Sequence, residues 1–234
     1  MPRRSRFCEP SNAITASSSF RPDVPVAASS AADFMPSRRT LTRLRAAAAC
    51  CRGCDLYKYA TQTVFGEGRA RARMMFVGEQ PGDSEDRAGH PFVGPAGGVL
   101  HDAMERAGID PGSVYVTNAV KHFKFVQRGK RRIHNKPRTI EIRACKPWLD
   151  AEIAAVKPSL IVALGATAAH SLLGANFKLL ANRARLIVSN DVARPVLPTI
   201  HPSAILRAPD RDTRRSEMRR FIRDLEVAAE ASGV

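Results

Sequence analysis

The stretch that most constrains this chain is residues 78–98, GEQPGDSEDRAGHPFVGPAGG. It follows the apolar run 74–77 and leads into VLHDAMERAG, where Val99, Leu100, Ala103, Met104 and Ala107 share one helical face. The order is strand, glycine-rich loop, helix. Open α/β sheets bind ligands in the crevice at the carboxyl ends of their strands, so the loop lies where chemistry is usually done. Glycines and prolines set its backbone, and Glu79, Gln80, Asp83, Glu85, Asp86 and His90 crowd it beside Phe92. A nucleotide-cofactor loop does not fit. The G-x-G-x-x-G spacing is absent, and acids stand where phosphates would sit.

The rest of the chain keeps the α/β rhythm. A second strand is expected over 114–118 and a long helix over 138–156, ending before Pro158. Residues 160–165, LIVALG, read as a buried parallel strand, and ATAAHSLLG as a short helix capped by Gly174. An irregular basic connection over 176–195 leads to a strand at 195–200 that delivers His201, and a final helix covers about 213–231. This pattern predicts a three-layer α/β/α domain around a four-stranded, largely parallel sheet. The length of 234 residues and 44% hydrophobic content suffice for one such domain and an extension. Residues 1–38, rich in Ser, Ala and Pro without helical or strand period, read as a disordered extension, leaving 39–234 as the folded domain.

A formal net charge of +15 points to a polyanionic partner, nucleic acid before an acidic membrane surface. No apolar run approaches the roughly 18 residues of a membrane span, and the N-terminus lacks a signal-peptide core. A cytoplasmic protein is expected, in which the five cysteines are thiols or metal ligands rather than disulfides. Cys51 and Cys54 form a C-x-x-C pair able to share a metal or a cluster. Thioredoxin-like redox chemistry is the rival reading, weakened because an alanine-rich helix from Thr40, not a strand, precedes the pair. Cys50 reads as a small apolar packing residue. That leaves Cys145 as the third candidate ligand of the folded region, one short of a four-ligand site. From Lys121 to Lys146 there are ten basic residues against one acid, Glu141, as in a solvated, phosphate-facing loop. Phe123 and Phe125 interleave with Lys121 and Lys124, an arrangement suited to single-strand binding. Taken alone, His134 at the end of KRRIH is an unremarkable loop histidine.

GEQPG followed by PFVGPAGG resembles the first active-site motif of the uracil-DNA glycosylase superfamily in its iron–sulfur, family 4 form, and HPSA at 201–204 resembles the second. Gln80 and KRRIH at 130–134 narrow the resemblance to the UdgX branch. It implies a uracil-DNA glycosylase-like fold, acting as a monomer on uracil-containing DNA, single strands preferred. It implies a [4Fe–4S] cluster on Cys51, Cys54, His122 and Cys145, with His122 where family 4 enzymes carry a cysteine. Zinc in place of iron, or a cluster on three cysteines, is the alternative. At the pocket the resemblance implies Phe92 stacking on the base, Asn118 reading its edge, and Gln80 and Asp83 beside it. His201 would stabilise the departing base and Glu79 the sugar, with Gln80 also among the catalytic residues. His134 would attack sugar C1′ and trap the protein on DNA. Lys130, Arg131, Arg132 and Ser203 would contact the DNA backbone. Two other readings stand beside this one. In a conventional, multiple-turnover glycosylase His134 is only a phosphate contact. In a non-catalytic iron–sulfur DNA-binding protein the pocket is inert.

Overall fold

A computed structural model of the chain describes residues 30–188 and 192–233. In chain order, helix α1 (Leu41–Ala48) precedes strands β1 (Glu67–Gly68) and β2 (Met74–Gly78) and helices α2 (Asp83–Ala88) and α3 (Pro95–Arg106). Strands β3 (Tyr115–Asn118), β4 (Phe125–Arg128) and β5 (Arg131–His134) follow, then helix α4 (Thr139–Val156), strand β6 (Leu160–Leu164) and helix α5 (Ala166–Leu173). The chain closes with β7 (Ile187–Val188), β8 (Pro195–Thr199), α6 (Pro202–Leu206) and α7 (Arg211–Ser232).

The central sheet has six strands in the order β1-β3-β2-β6-β8-β7. Its four inner strands are parallel, as the sequence predicts. Two-residue antiparallel strands extend each edge: β1 on β3 and β7 on β8. Sequence reading missed both because two residues carry no detectable period. Alternation along β2 divides the core. Met74 and Phe76 face α3, α6 and α7 through Leu100, Met104, Ile205, Phe221 and Leu225. Met75 and Val77 face α4 and α5 through Leu149, Ile153, Ala169 and Leu172. Every residue of β2 and β6 is buried, as expected of central parallel strands covered on both faces.

Three departures from the sequence reading matter for the site. The stretch 78–98 is not all loop. It contains α2, whose Glu85 accepts from the backbone N–H groups of Gly82 (3.0 Å) and Gly94 (2.7 Å), tying the N-cap of α2 to that of α3. The basic stretch between His122 and Cys145 is not all loop either. Phe125 pairs with His134 and Arg128 with Arg131 in an antiparallel hairpin. Finally, most of the 1–38 extension lies outside the described residues, but its end from Ser30 belongs to the packed structure. Ser30 caps a 3₁₀ turn, Ala31–Phe34, and Ala31 is fully buried in a third core cluster with Leu44, Cys51, Cys145 and Trp148. Gly53 permits this contact, since a Cβ there would stand 2.5 Å from the Ala31 nitrogen. No described helix is long and apolar enough to cross a membrane.

Candidate active site

The carboxyl ends of β2, β3, β6 and β8 open into one cleft of about 1190 Å³, lined among others by Glu79, Phe92, Asn118, His134, Thr167 and His201. Each side chain is delivered by a strand end or by a turn braced against one. Glu79 follows β2, Asn118 ends β3, Thr167 opens α5 just past β6, and His201 caps α6 just past β8. Glycine clears the floor. A Cβ on Gly78 would lie 2.3 Å from Asn118 Oδ1 and 2.8 Å from Phe92 Cζ. Phe92 itself has φ +56°, a left-handed conformation that a bulky side chain adopts at a cost. Its ring lies near-parallel to that of His201, 25° apart in plane with centroids at 6.4 Å. The Asn118 side-chain amide, almost fully buried, hydrogen-bonds to no other described residue and is left for a ligand.

Glu79 is the electrostatic centre. Its carboxylate accepts from Thr167 Oγ1 and stands 3.1 Å from His134 Nε2. Burial pushes its pKa up, but the hydrogen bonds from His134 and Thr167 win and hold it below the ordinary glutamate range. The α5 N-terminus beside Thr167 favours the same anion. His201 goes the other way. Burial outweighs Glu79 and lowers its pKa to about 4, so it is neutral at pH 7. Its Nδ1 accepts the Ser203 backbone N–H at 3.1 Å, which puts the ring proton on Nε2 as a donor. Thr167 was not among the residues singled out from sequence. Its signal was slight: a threonine in the first helical turn past a buried strand.

The structure distributes the remaining candidates differently from the sequence reading. Gln80 borders the cleft, but its amide is spent on the hairpin. Its Nε2 donates to the carbonyls of Lys124 and Asn135 (both 3.1 Å), and its Oε1 accepts from Lys124 N–H (3.2 Å). Gln80 thus pins both legs of the hairpin that presents His134. Arg132, expected on DNA phosphates, turns inward instead. It pairs with Asp83 and Asp86 (2.6 Å to the latter) and lies over the rings of Phe123 and Phe125 at 5.4 and 5.1 Å. Asp83, expected beside the base, has its carboxylate committed to Arg132 and Arg87. The reason is common to all three: buried or half-buried polar groups find protein partners when none is left to water. Lys130 and Arg131, at the exposed hairpin tip, stay free for an external anion. Ser203 supports His201 Nδ1 and accepts from Arg207 at 3.0 Å.

Cys51, Cys54 and Cys145 are free thiols that share the third core cluster. Burial pushes the Cys145 thiol up to about 12, against the lowering effect of the Lys121 charge and backbone N–H. Two of the sulfurs already accept N–H donors: Cys51 from Trp148 Nε1 and Cys145 from the Lys121 backbone, each at 3.2 Å. His122 is buried and 2.9 Å from Thr63 Oγ1, and burial lowers its pKa to about 4, so its imidazole is neutral. Among the described residues no three of these groups converge closely enough for a single ion. A four-iron cube, which spaces its terminal ligands more widely, suits soft thiolates with N–H donors at sulfur. Beside this region, Lys121 and Glu152 form a completely buried ion pair that Tyr115, Thr117 and the Gly66 N–H complete.

The profile of the "Uracil DNA glycosylase superfamily" matches residues 65–226. The type-4 uracil-DNA glycosylase of Pyrobaculum aerophilum is 38% identical over 170 residues, 68% of this chain and 81% of that protein. The type-4 enzymes of Sulfurisphaera tokodaii and Thermotoga maritima are 34% and 37% identical, over 80% and 76% of this chain and 86% and 87% of theirs. The chain belongs to the uracil DNA glycosylase superfamily.

Proposed function

We propose that this protein excises uracil and is then captured on the sugar through His134, as the UdgX-like KRRIH segment suggests. The observation carrying the proposal is the 3.1 Å contact between His134 Nε2 and the Glu79 carboxylate, in the cleft that also holds Asn118 and His201. Uracil must leave the base stack to reach the cleft, which favours single-stranded over duplex DNA and one protein molecule per site. Phe92 stacks on the ring. Asn118 offers its NH₂ to O4 and its carbonyl to N3–H, a pattern cytosine does not satisfy. As the C1′–N1 bond breaks, its electron pair leaves with uracil, and His201 Nε2–H donates to the O2 that gathers the charge. Glu79 stabilises the cationic sugar. His134, with one ring N–H held by Glu79, brings the lone pair of its other nitrogen to C1′ and forms the N–C bond. The ring proton then passes to Glu79 and on to the uracil anion, leaving a neutral alkylated imidazole. Such an imidazole is a poor leaving group, so the reaction halts at one turnover.

The same reading assigns Cys51, Cys54, Cys145 and His122 to a [4Fe–4S] cluster. The core cluster shared by the three cysteines and the N–H donors on sulfur support it, with the neutral His122 ring as an acceptable though rarer iron ligand. Held by these residues, a cluster would tie the 51–54 segment to α4 through metal–ligand bonds. A monomeric cytoplasmic protein is the accompanying expectation. Uracil release with substrate in excess tests the central reading. Wild type should stop near one uracil per protein, and His134→Ser, which admits water to C1′, should continue to turn over. Sustained turnover by wild type would make this a conventional glycosylase, and no release by either an inert DNA binder.

A further inference from the structure

A second groove, of about 570 Å³, lies between α3, α6 and α7 and shares Pro95 and Leu206 with the uracil cleft. Its floor is apolar, with Val99, Ile205 and Met218, and its walls carry Arg106, Arg211, Arg214, Arg215 and Arg219. The one carboxylate lining it, Asp102, is engaged by Arg106 at 3.5 Å. Arg211, Arg214, Arg215 and Arg219 are exposed and make no ion pair with any described residue. Of the acids on α7, Glu217 is engaged by Arg183 and Arg220 and Asp224 by Arg183, while Asp212, exposed in the first turn, is one carboxylate against the four arginines there.

Three of these arginines sit in the first turns of α7, where the helix dipole disfavours cations. Like charges one turn apart repel as well. The cluster therefore weakens the free protein, and an approaching polyanion relieves it. Arg211, Arg215 and Arg219 recur at four-residue spacing, one face of the helix, spanning roughly 12 Å at ~1.5 Å per residue. That matches three to four nucleotides of a stacked strand at ~3.4 Å each.

We infer that this groove is a second nucleic-acid site, which holds the sugar–phosphate backbone flanking the extruded nucleotide once the strand has crossed the Pro95–Leu206 ridge. It rests on the uracil-DNA reading of the neighbouring cleft. Guanidinium groups pair with phosphate oxygens, and the apolar floor accepts a sugar or base face. The alternative occupant, an acidic peptide, has no comparable continuity with the cleft to recommend it.

The test compares wild type with Arg211→Gln/Arg215→Gln/Arg219→Gln. A control, Arg69→Gln/Arg71→Gln/Lys157→Gln, removes the same charge at the opposite, amino-terminal end of the sheet. Affinity for uracil-free single-stranded 20-mers is measured against salt, so the readout does not depend on excision. The groove variant should flatten the log–log salt slope by about 2, from three lost contacts at ~0.7 each. The control should leave it near wild type. With uracil substrates extended on only one side, the variant should lose capture efficiency on one polarity alone. An unchanged slope, an equal fall in the control, or equal loss on both polarities would overturn the proposal. So would retained DNA binding with lost affinity for a polyglutamate peptide. If wild type releases no uracil at all, the excision reading fails, while the salt slope still judges the groove.

Discussion

Three side chains show how polar groups in one cleft divide the labour. Asn118 keeps its amide free, and Asn118→Asp would set a carboxylate against uracil O4. The expected loss of transition-state stabilisation is about 2–3 kcal/mol, read from single-turnover excision; unchanged rates would place Asn118 outside recognition. His201 is held neutral. Its folded pKa of about 4 lies below the ~6.5 of an unfolded histidine. The folded state therefore binds fewer protons between these values, and the stability this group contributes is present above about pH 6.5 and fades as pH falls toward 4. Excision should likewise stay level from neutrality down to about pH 5.5 and drop toward an inflection near 4, where protonation of Nδ1 expels the Ser203 N–H. An inflection near 6.5 would mean that a cationic His201 does the work. Gln80 braces the hairpin through its amide. Gln80→Glu should slow capture by His134 more than Gln80→Ala, because it points an acceptor at two carbonyls. Equal effects would argue for direct contact with the base. The motifs and the family resemblance they carry brought Glu79, Phe92, Asn118, His134 and His201 to notice. They did not reveal that Gln80 is spent on Lys124 and Asn135, or Asp83 on Arg132, since such pairing depends on a fold that joins residues about fifty positions apart.

Among the elements, the parallel strands were legible because each is a continuous apolar run bounded by glycine, proline or a polar turn. The hairpin β4–β5 was not. Its FVQRGKRRIH carries four basic residues in ten, and its apolar Val126 and Ile133 remain substantially exposed. Its order comes from Arg132, clamped by Asp83 and Asp86 against two phenylalanine rings, and from Gln80 at its base. The ion pair of Lys121 with Glu152 was equally hidden, lying wholly inside between β3 and α4. Lys121 also donates from Nζ to the Asn118 carbonyl and from its backbone to Cys145 sulfur, so it joins the recognition strand to the cysteine region. Lys121→Met leaves Glu152 buried and uncompensated, and a loss of about 3–5 kcal/mol is expected in denaturant unfolding. A shift under about 1 kcal/mol would show that solvent reaches the pair.

At the scale of the molecule, the cysteine region packs Ala31, α1 and the 51–54 segment against α4. Purified protein is expected to contain about four irons per chain and to absorb broadly in the visible, from the cluster proposed there. His122→Cys should keep that absorption and Cys145→Ala should lose it; stoichiometric zinc without iron would reject the assignment. The basic surface, visible in composition as +15, acquires a location only in the fold: the hairpin tip and the α7 groove. What unites these parts is the claim that His134 closes the reaction on itself. Peptide mass spectrometry of protein boiled after incubation with a uracil-containing oligonucleotide tests that claim most directly. The account predicts a deoxyribose-linked nucleotide on the peptide carrying His134, bonded at that imidazole, with uracil absent from the adduct. An unmodified His134, or the adduct on Glu79 or a neighbouring lysine, would contradict it.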